Sequence, residues 1–399
     1  MGRDLETEAA GLRILHTVEF YPPLQGGMQE VVKQLSERLT RRGHEVVVAT
    51  TRLPARASGQ INGVRVEEFA VSGNQVRGFT GEAERYRQFL RDSRFDIVTN
   101  FAAQQWATDL ALPLLDRIAG KKVFVPTGFS GLYAPEYAAY FECMKTWMGQ
   151  YDANVFLSDD YRDVAFAHAH GIGNGVLIPN GAAADEFGPT PEGGVRRRLG
   201  IPKSHLLVLL VGSHTSLKGH AEAIQIFEQA QIRDATLLIV ANRVGPGCRR
   251  NCGKRWARFA LSPANWQAGK RLQIRSLSRA ETVAAYHAAN LFLFPSNVEC
   301  SPLVLFECLA SRTPFLTTDV GNAREIITWS GGGRLLPTRH DAGGLSRAEI
   351  AGSARLVEEY ASDPARRAAE AGHAAWRERF TWEKIAGEYE RLYRRLAGV

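Results

Sequence analysis

The sequence predicts an α/β protein made of two doubly wound parallel sheets in succession, and three observations predict it. Short, almost wholly apolar runs alternate with segments of helical periodicity through both halves of the chain, the pattern of parallel strands covered on both faces. A breaker-rich stretch beginning Ile178-Pro-Asn-Gly181 and ending at Gly194, with Pro179, Pro189, Pro191 and Gly193 inside it, separates the halves. The length, 399 residues, suits two or three domains of ordinary size.

In the first half, Arg13–Val18 reads as a strand. The Pro/Gly loop YPPLQGG then leads into MQEVVKQLSERLTRRG, where Val31, Leu35 and Leu39 recur at helical spacing and Gly43 closes the helix. His44–Ala49, Asp96–Thr99, Lys122–Val125 and Asn154–Leu157 are the later strands. In the second half, the strand Leu206–Val211 leads through Gly212 to a helix from about Gly219 to Ala230. The strands Ala235–Val240, Arg271–Ile274, Leu291–Phe294 and Thr313–Thr317 follow. From about Ala361 to Val399 the chain reads as helical and amphipathic, with Trp376, Phe380, Trp382, Ile385, Tyr389 and Leu392 as its apolar members. Two such halves make a cleft between them, and ligands bind at the carboxyl ends of parallel strands.

Composition excludes several classes. Apolar residues are 45% and charged residues 23%, which rules out a disordered or fibrous chain. The longest aliphatic run, Leu206–Val211, is far short of the roughly 18 residues of a membrane helix. The opening MGRDLETEAAG has no cationic segment followed by an apolar core, and Glu6 stands where myristoylation needs Ser or Thr. The expectation is therefore a cytoplasmic protein. Its five cysteines, Cys143, Cys248, Cys252, Cys300 and Cys308, read as reduced thiols. Cys248-x-x-x-Cys252 has the form of half a zinc site, but no His or second Cys pair follows it closely, so no metal is expected. Charge is uneven: residues 1–180 hold 19 Lys/Arg against 21 Asp/Glu, while residues 181–399 hold 30 against 21. No carboxylate lies between Asp234 and Glu281, and the 243–275 segment there carries nine cations. Such a surface is either merely solvated or serves an anion.

Three segments are placed for chemistry. Ser301-Pro302 reads as a helix start, Ser as N-cap and Pro at the first helical position, directly after the strand Leu291–Phe294. A helix N-terminus there suits a diphosphate. Glu299 precedes that helix, and Glu307 lies inside it among Leu303, Val304, Leu305, Phe306 and Leu309. A carboxylate in such apolar company needs a partner, either a basic residue or sugar hydroxyls. Gly26-Gly27, between a strand and a helix, lets amides approach a phosphate or sugar closely, though most such pairs are turns. Gly212–Gly219 again joins a strand to a helix, and its Lys218 is a point charge for phosphate or a plain surface lysine. Of the histidines, His16 and His44 read as structural, His168 and His170 as weak ligands, and His214 as the one to test for phosphate or sugar contact.

Taken together, YPPLQGGMQEVVKQLSERLTRRGHEVVVAT, IPNG, LKGH and PSNVECSPLVLFECLASRTPFLTTDVGNAREI resemble the retaining glycosyltransferases of family 4. The likeness runs over nearly the whole chain in the right order, and its most specific element is E-x7-E, Glu299 to Glu307. It implies the GT-B fold, with residues 1–183 a Rossmann-like acceptor domain and 184–374 a Rossmann-like donor domain. Residues 375–399 would form a helix returning to the first domain. It also implies transfer of a sugar, with retention, from a nucleotide-diphosphate donor (a UDP-sugar first) to a sugar, lipid-linked or small-molecule hydroxyl. Glu299 would bind donor-sugar hydroxyls and steady positive character at the anomeric carbon, and Glu307 would hold the ribose. The amides near Ser301, Leu303 and Val304, with Lys218, would take up the diphosphate charge, and Gly27 would contact the donor from the first domain. Glu299 and Lys218 are thus the expected catalytic residues. Gly26, Ser213, His214, Asn242, Arg243, Ser276, Cys300 and Pro302 complete the expected donor site. Neither a cofactor nor a metal is expected, since a D-x-D motif is absent and a helix terminus and cations replace it.

Two positions depart from the family pattern. Ser213 stands where an Arg is usual, and the loop Val125–Gly131 has Thr127 and Gly128 but no His. Arg243 or Arg249 is expected to supply the lost charge. A different class of function, nucleic-acid binding, would use Trp256, Phe259 and Trp266 interleaved with the cations of 243–275, but no nucleic-acid motif accompanies them. The same patch could dock on anionic lipid at the inner membrane face and bring the enzyme to a lipid-linked acceptor.

Overall fold

A computed structural model describes residues 11–188, 194–242, 249–341, 343–360 and 363–399. The chain folds as two units, Met1–Asn180 with Trp382–Val399, and Gly181–Thr381.

The first unit begins with β1 (Arg13–Thr17), α1 (Gly27–Arg41), β2 (Glu45–Thr51), β3 (Gln60–Ile61), β4 (Val64–Phe69), β5 (Val71–Asn74), β6 (Gly78–Gly81) and α2 (Ala83–Asp92). It continues through β7 (Ile97–Phe101), α3 (Trp106–Asp109), β8 (Lys121–Val125), α4 (Ala138–Gln150), β9 (Ala153–Phe156), α5 (Arg162–Ala169) and β10 (Gly175–Leu177). Eight strands form one sheet in the order β10-β9-β8-β7-β1-β2-β4-β3, parallel except for the β3–β4 pair. Val31, Leu35 and Leu39 of α1 are buried, and Gly43, just past its end, has φ +88°, a conformation glycine adopts without a Cβ penalty. The segment 60–81, which sequence patterning had left without strands, holds β3 to β6. Val64-Arg-Val-Glu-Glu-Phe69 mixes charged with apolar residues because β4 lies near the sheet edge, with only the two-residue β3 beyond it.

The second unit runs α6 (Ala184–Phe187), α7 (Val195–Arg198), β11 (Leu206–Val211), α8 (His220–Gln229), β12 (Ala235–Val240), α9 (Arg249–Ala260), α10 (Pro263–Gln267), β13 (Arg271–Arg275) and α11 (Arg279–Ala288). After these come β14 (Leu291–Phe294), α12 (Leu303–Ala310), β15 (Phe315–Thr317), α13 (Ala323–Ser330), β16 (Arg334–Leu335), β17 (Thr338–His340), β18 (Ser346–Ala348), α14 (Ile350–Tyr360) and α15 (Asp363–Arg379). Its six-stranded sheet, β13-β12-β11-β14-β15-β16, is wholly parallel. Leu207, Val208, Leu209 and Leu210 are inaccessible to solvent. Alternate residues of that run feed two apolar clusters, Leu207 and Leu209 one, Val208 and Leu210 the other. Each such side chain contributes about 1.5–3 kcal/mol of burial.

The helix expected from 361 to 399 is two helices. After α15, Phe380 accepts a hydrogen bond from the Ala182 amide at 3.0 Å and Thr381 forms an isolated parallel bridge with Ala182. This short extended stretch interrupts the helical ladder before α16 (Trp382–Ala397). Trp376 and Phe380 accordingly join the core of the second unit, while α16 packs on α1 in the first. There Arg38 pairs with Glu383 at 2.7 Å, and His44 Nε2 lies 3.1 Å from Glu390 while its Nδ1 accepts from the Leu12 amide. His16 is enclosed, 2.8 Å from Ser36 Oγ and 3.2 Å from Tyr393 Oη. Burial lowers its pKa to about 3, so both histidines have structural surroundings.

Candidate functional site

In the second sheet, β11 has β12 on one side and β14 on the other. The strand order reverses there, and the loops leaving the carboxyl ends of β11 and β14 meet. Backbone geometry makes them meet closely. Gly219, at the start of α8, has φ +66°, and a Cβ on it would collide with the carbonyl of Pro295. Across the same seam the Asn297 amide donates to Leu217 O at 2.8 Å, and Ser296 Oγ donates to it at 3.1 Å. Lys218 Nζ thereby comes within 2.6 Å of Glu299 Oε1, which also accepts from Ser296 Oγ at 2.7 Å. Glu299 is 12% exposed and Lys218 26%, a partly exposed ion pair.

The loop after β15 supports Glu299 from behind. Gly321 has φ +54° against the Cys300 carbonyl, which accepts the Asn322 amide at 2.9 Å, and Thr318 Oγ1 donates to Ser296 O at 2.5 Å. The helix start differs by one residue from the expected one. Pro302, not Ser301, is the N-cap, with ψ 112° and no side-chain capping bond, so the first helical amides are those of Leu303 and Val304. Proline in this extended conformation ends the loop, and the ladder begins at the next residue.

Glu307 is buried in α12 and has the basic partner that its apolar setting demands. Arg279 Nη1 donates to its Oε1 at 2.6 Å, while Nη2 and Nε of the same guanidinium hold Glu186 Oε2 at 2.6 and 2.9 Å. One arginine thus spans two carboxylates. Tyr286, enclosed beside Glu307, has its hydroxyl pKa raised well above 10, first by burial and then by that carboxylate.

Other expected residues are more scattered. His214 is buried, its ring edge-on to His220 with centroids 5.0 Å apart. Ser276 and His214 line one cavity of about 350 Å³. Ser213 and Asn242 are half-buried. Arg243 and Cys248 lie outside the described residues, as does the side chain of Arg249. In the first unit, Gly26 and Gly27 follow β1 at the matching reversal of strand order, with Gly26 as N-cap of α1. A Cβ on Gly27 would meet nothing within 4 Å. Sequence reasoning missed Ser296, Arg279, Glu186 and His220, whereas Cys252 was noted only as half of a metal motif with Cys248. Ser296 sits three residues before Glu299 and was within reach; the others act across long separations that no local motif encodes. Phe259, read as a stacking residue, is buried against Phe227, so it offers no platform for a base.

Known proteins show the same arrangement of segments. The model described as Glycosyltransferase Family 4 matches residues 25–186, and that described as Glycosyl transferases group 1 matches residues 194–348. A D-inositol 3-phosphate glycosyltransferase of Kineococcus radiotolerans is 25% identical, over 99% of this chain and 97% of that protein. Its namesake from Thermobispora bispora is 32% identical over 55% of this chain, a match spanning only half (50%) of that relative. Among solved structures, sucrose-phosphate synthase from Thermosynechococcus elongatus has a TM-score of 0.77 at 20% identity, covering 97% of this chain and 99% of that one. A glycosyltransferase from Rickettsia africae gives 0.74 at 16% identity, with coverage of 97% and 98%. Likeness at such identities establishes the fold.

Proposed function

Since the chain belongs to glycosyltransferase family 4 and has the GT-B fold, we propose that it moves a sugar from a UDP-sugar to a hydroxyl acceptor with retention of anomeric configuration. The observation that carries this reading is the Lys218–Glu299 pair at 2.6 Å, held at the strand-order reversal beside the first amides of α12. Lys218 neutralises the departing diphosphate together with the Leu303 and Val304 amides, so no metal is needed at the reacting centre. Glu299, fixed by Ser296, accepts hydroxyls of the donor sugar and stabilises positive charge at the anomeric carbon. Glu307 keeps lone pairs for ribose hydroxyls after Arg279 has taken one oxygen. The departing phosphate oxygen accepts the proton of the incoming hydroxyl, which attacks the face that the leaving group vacates. The Gly26-Gly27 turn is the first unit's own contact to substrate.

The relatives' name, D-inositol 3-phosphate glycosyltransferase, puts a phosphorylated cyclitol first among acceptors to try. Thermal stabilisation by UDP, GDP and ADP, followed by product detection from labelled UDP-sugars with and without inositol 3-phosphate, tests the reading. Stabilisation by UDP above the others and retained stereochemistry in the product are expected. Failure of every nucleoside diphosphate to stabilise the protein refutes it.

Peripheral contact with anionic lipid is part of the proposal. Trp256, Leu261 and Trp266 are exposed large apolar residues near the exposed cations Arg250, Lys254 and Arg258. None of the helices among the described residues is long and apolar enough to cross a membrane. Binding to vesicles containing phosphatidylserine at low salt is expected, and its absence removes this element.

A further inference from the structure

The β11–α8 turn carries a second cluster beside the Lys218–Glu299 pair. His214 in the turn, His220 at the first position of α8 and Cys252 in α9 are all buried, and one ligand atom from each lies within 4.8 Å of the other two. Cys252 Sγ and His220 Nδ1 are 3.7 Å apart. A tetrahedral zinc ion, with Zn–N about 2.0–2.1 Å and Zn–S about 2.3 Å, sets that separation at about 3.6 Å. His220 is also oriented as a ligand. Its Nε2 lies 3.1 Å from the Gly212 carbonyl, which can only accept, so Nε2 carries the proton and the Nδ1 lone pair faces the sulfur. Two imidazoles and a thiol are a borderline-soft set, unsuited to magnesium or calcium, which require oxygen.

We propose that His214, His220 and Cys252 supply three of the ligands to a divalent transition-metal ion, zinc above all. Both histidines give lone pairs, and the Cys252 thiol gives its proton to solvent as the metal–sulfur bond forms. The ion ties the turn bearing Lys218 to α9. It is a structural clamp, separate from the Lys218–Glu299 centre and independent of which sugar is transferred. The pattern was hidden in the sequence because the histidines precede Cys252 by 38 and 32 residues, far from usual short ligand spacings.

The test uses the full chain, stripped with a chelator and titrated with Co²⁺ and then Zn²⁺. One equivalent of Co²⁺ is expected to produce a thiolate-to-cobalt charge-transfer band with the intense visible bands of four-coordinate cobalt, and one equivalent of Zn²⁺ to abolish them. Cys252→Ser should remove the charge-transfer band and weaken Zn²⁺ binding about 100-fold or more, and His214→Gln or His220→Gln at least about tenfold. Cys143→Ser, at an exposed cysteine, should leave both signals. A wild-type titration without the charge-transfer band overturns the proposal whatever the variants do. So does a band that survives Cys252→Ser.

Discussion

The turn after β1 and the turn after β11 occupy the same place in two doubly wound sheets, yet they are built differently. The first, ending in Gly26-Gly27, leaves space where a side chain would stand at Gly27. The second is tied down by Gly219 against Pro295, by the hydrogen bonds to Leu217 O and by the Lys218–Glu299 pair. One fold position is left open and the other is preorganised around charge. An anion with fixed geometry, such as the diphosphate of the proposed donor, suits the second kind.

The comparison can be broken most sharply at Glu299. Glu299→Gln keeps the shape and the Ser296 hydrogen bond but removes the charge. Turnover should fall about 10²–10³-fold while the melting temperature stays near that of the wild type; unchanged kcat ends the assignment. Gly219→Ala comes next. The positive φ and the collision with Pro295 should destabilise the second unit by about 2–4 kcal/mol, seen in a denaturant melt.

A third effect belongs to the first unit, whose central strand holds a neutral histidine. The folded pKa of His16, about 3, lies below the unfolded value near 6.5, so its contribution is present above pH 6.5 and is lost as pH falls. Between pH 7.5 and 5.5 that loss amounts to about 1.4 kcal/mol. Asp109 and Asp163, raised to about 6 by burial, act in the opposite sense, adding stability as pH falls from about 6 towards 4. The clean measurement is therefore a difference: on going from pH 7.5 to 5.5, the stability of His16→Asn should rise relative to that of the wild type by about 1.4 kcal/mol. Equal slopes would mean that His16 is protonated in the folded protein. The smallest effect is at Gly27. Because it lies in α1 with open space at Cβ, Gly27→Ala should leave stability unchanged or raise it by about 0.5–1 kcal/mol, and should raise KM. A rise in KM with intact stability would mark the open turn as a ligand contact; unchanged kinetics would mark it as a plain turn.

Much of this was legible in residues. β11, β12 and β14 have the bounds that the aliphatic runs predict, because a strand buried on both faces is written as an unbroken apolar stretch. Glu299 and Glu307 were legible as a spaced acidic pair followed by a helix. The strands between 60 and 81 were not, since short edge strands bear charges that mimic a loop. Arg279 was passed over beside more conspicuous cations, although it holds both Glu186 and Glu307. Its role depends on bringing residues 93 and 28 positions away to one guanidinium, and local spacing carries no record of that. The break at Thr381 was invisible for a similar reason: a partner two hundred residues earlier, Ala182, decides it.

The path of the chain through α15 and then α16 has a consequence for biosynthesis. The second unit is a continuous segment and can close as soon as it leaves the ribosome. The first must wait, because Tyr393 and Glu390, which cover His16 and His44, emerge only after the whole of the second has been made. During that interval α1 stands with one side bare, and the nascent protein depends on α16 to finish what β1 began.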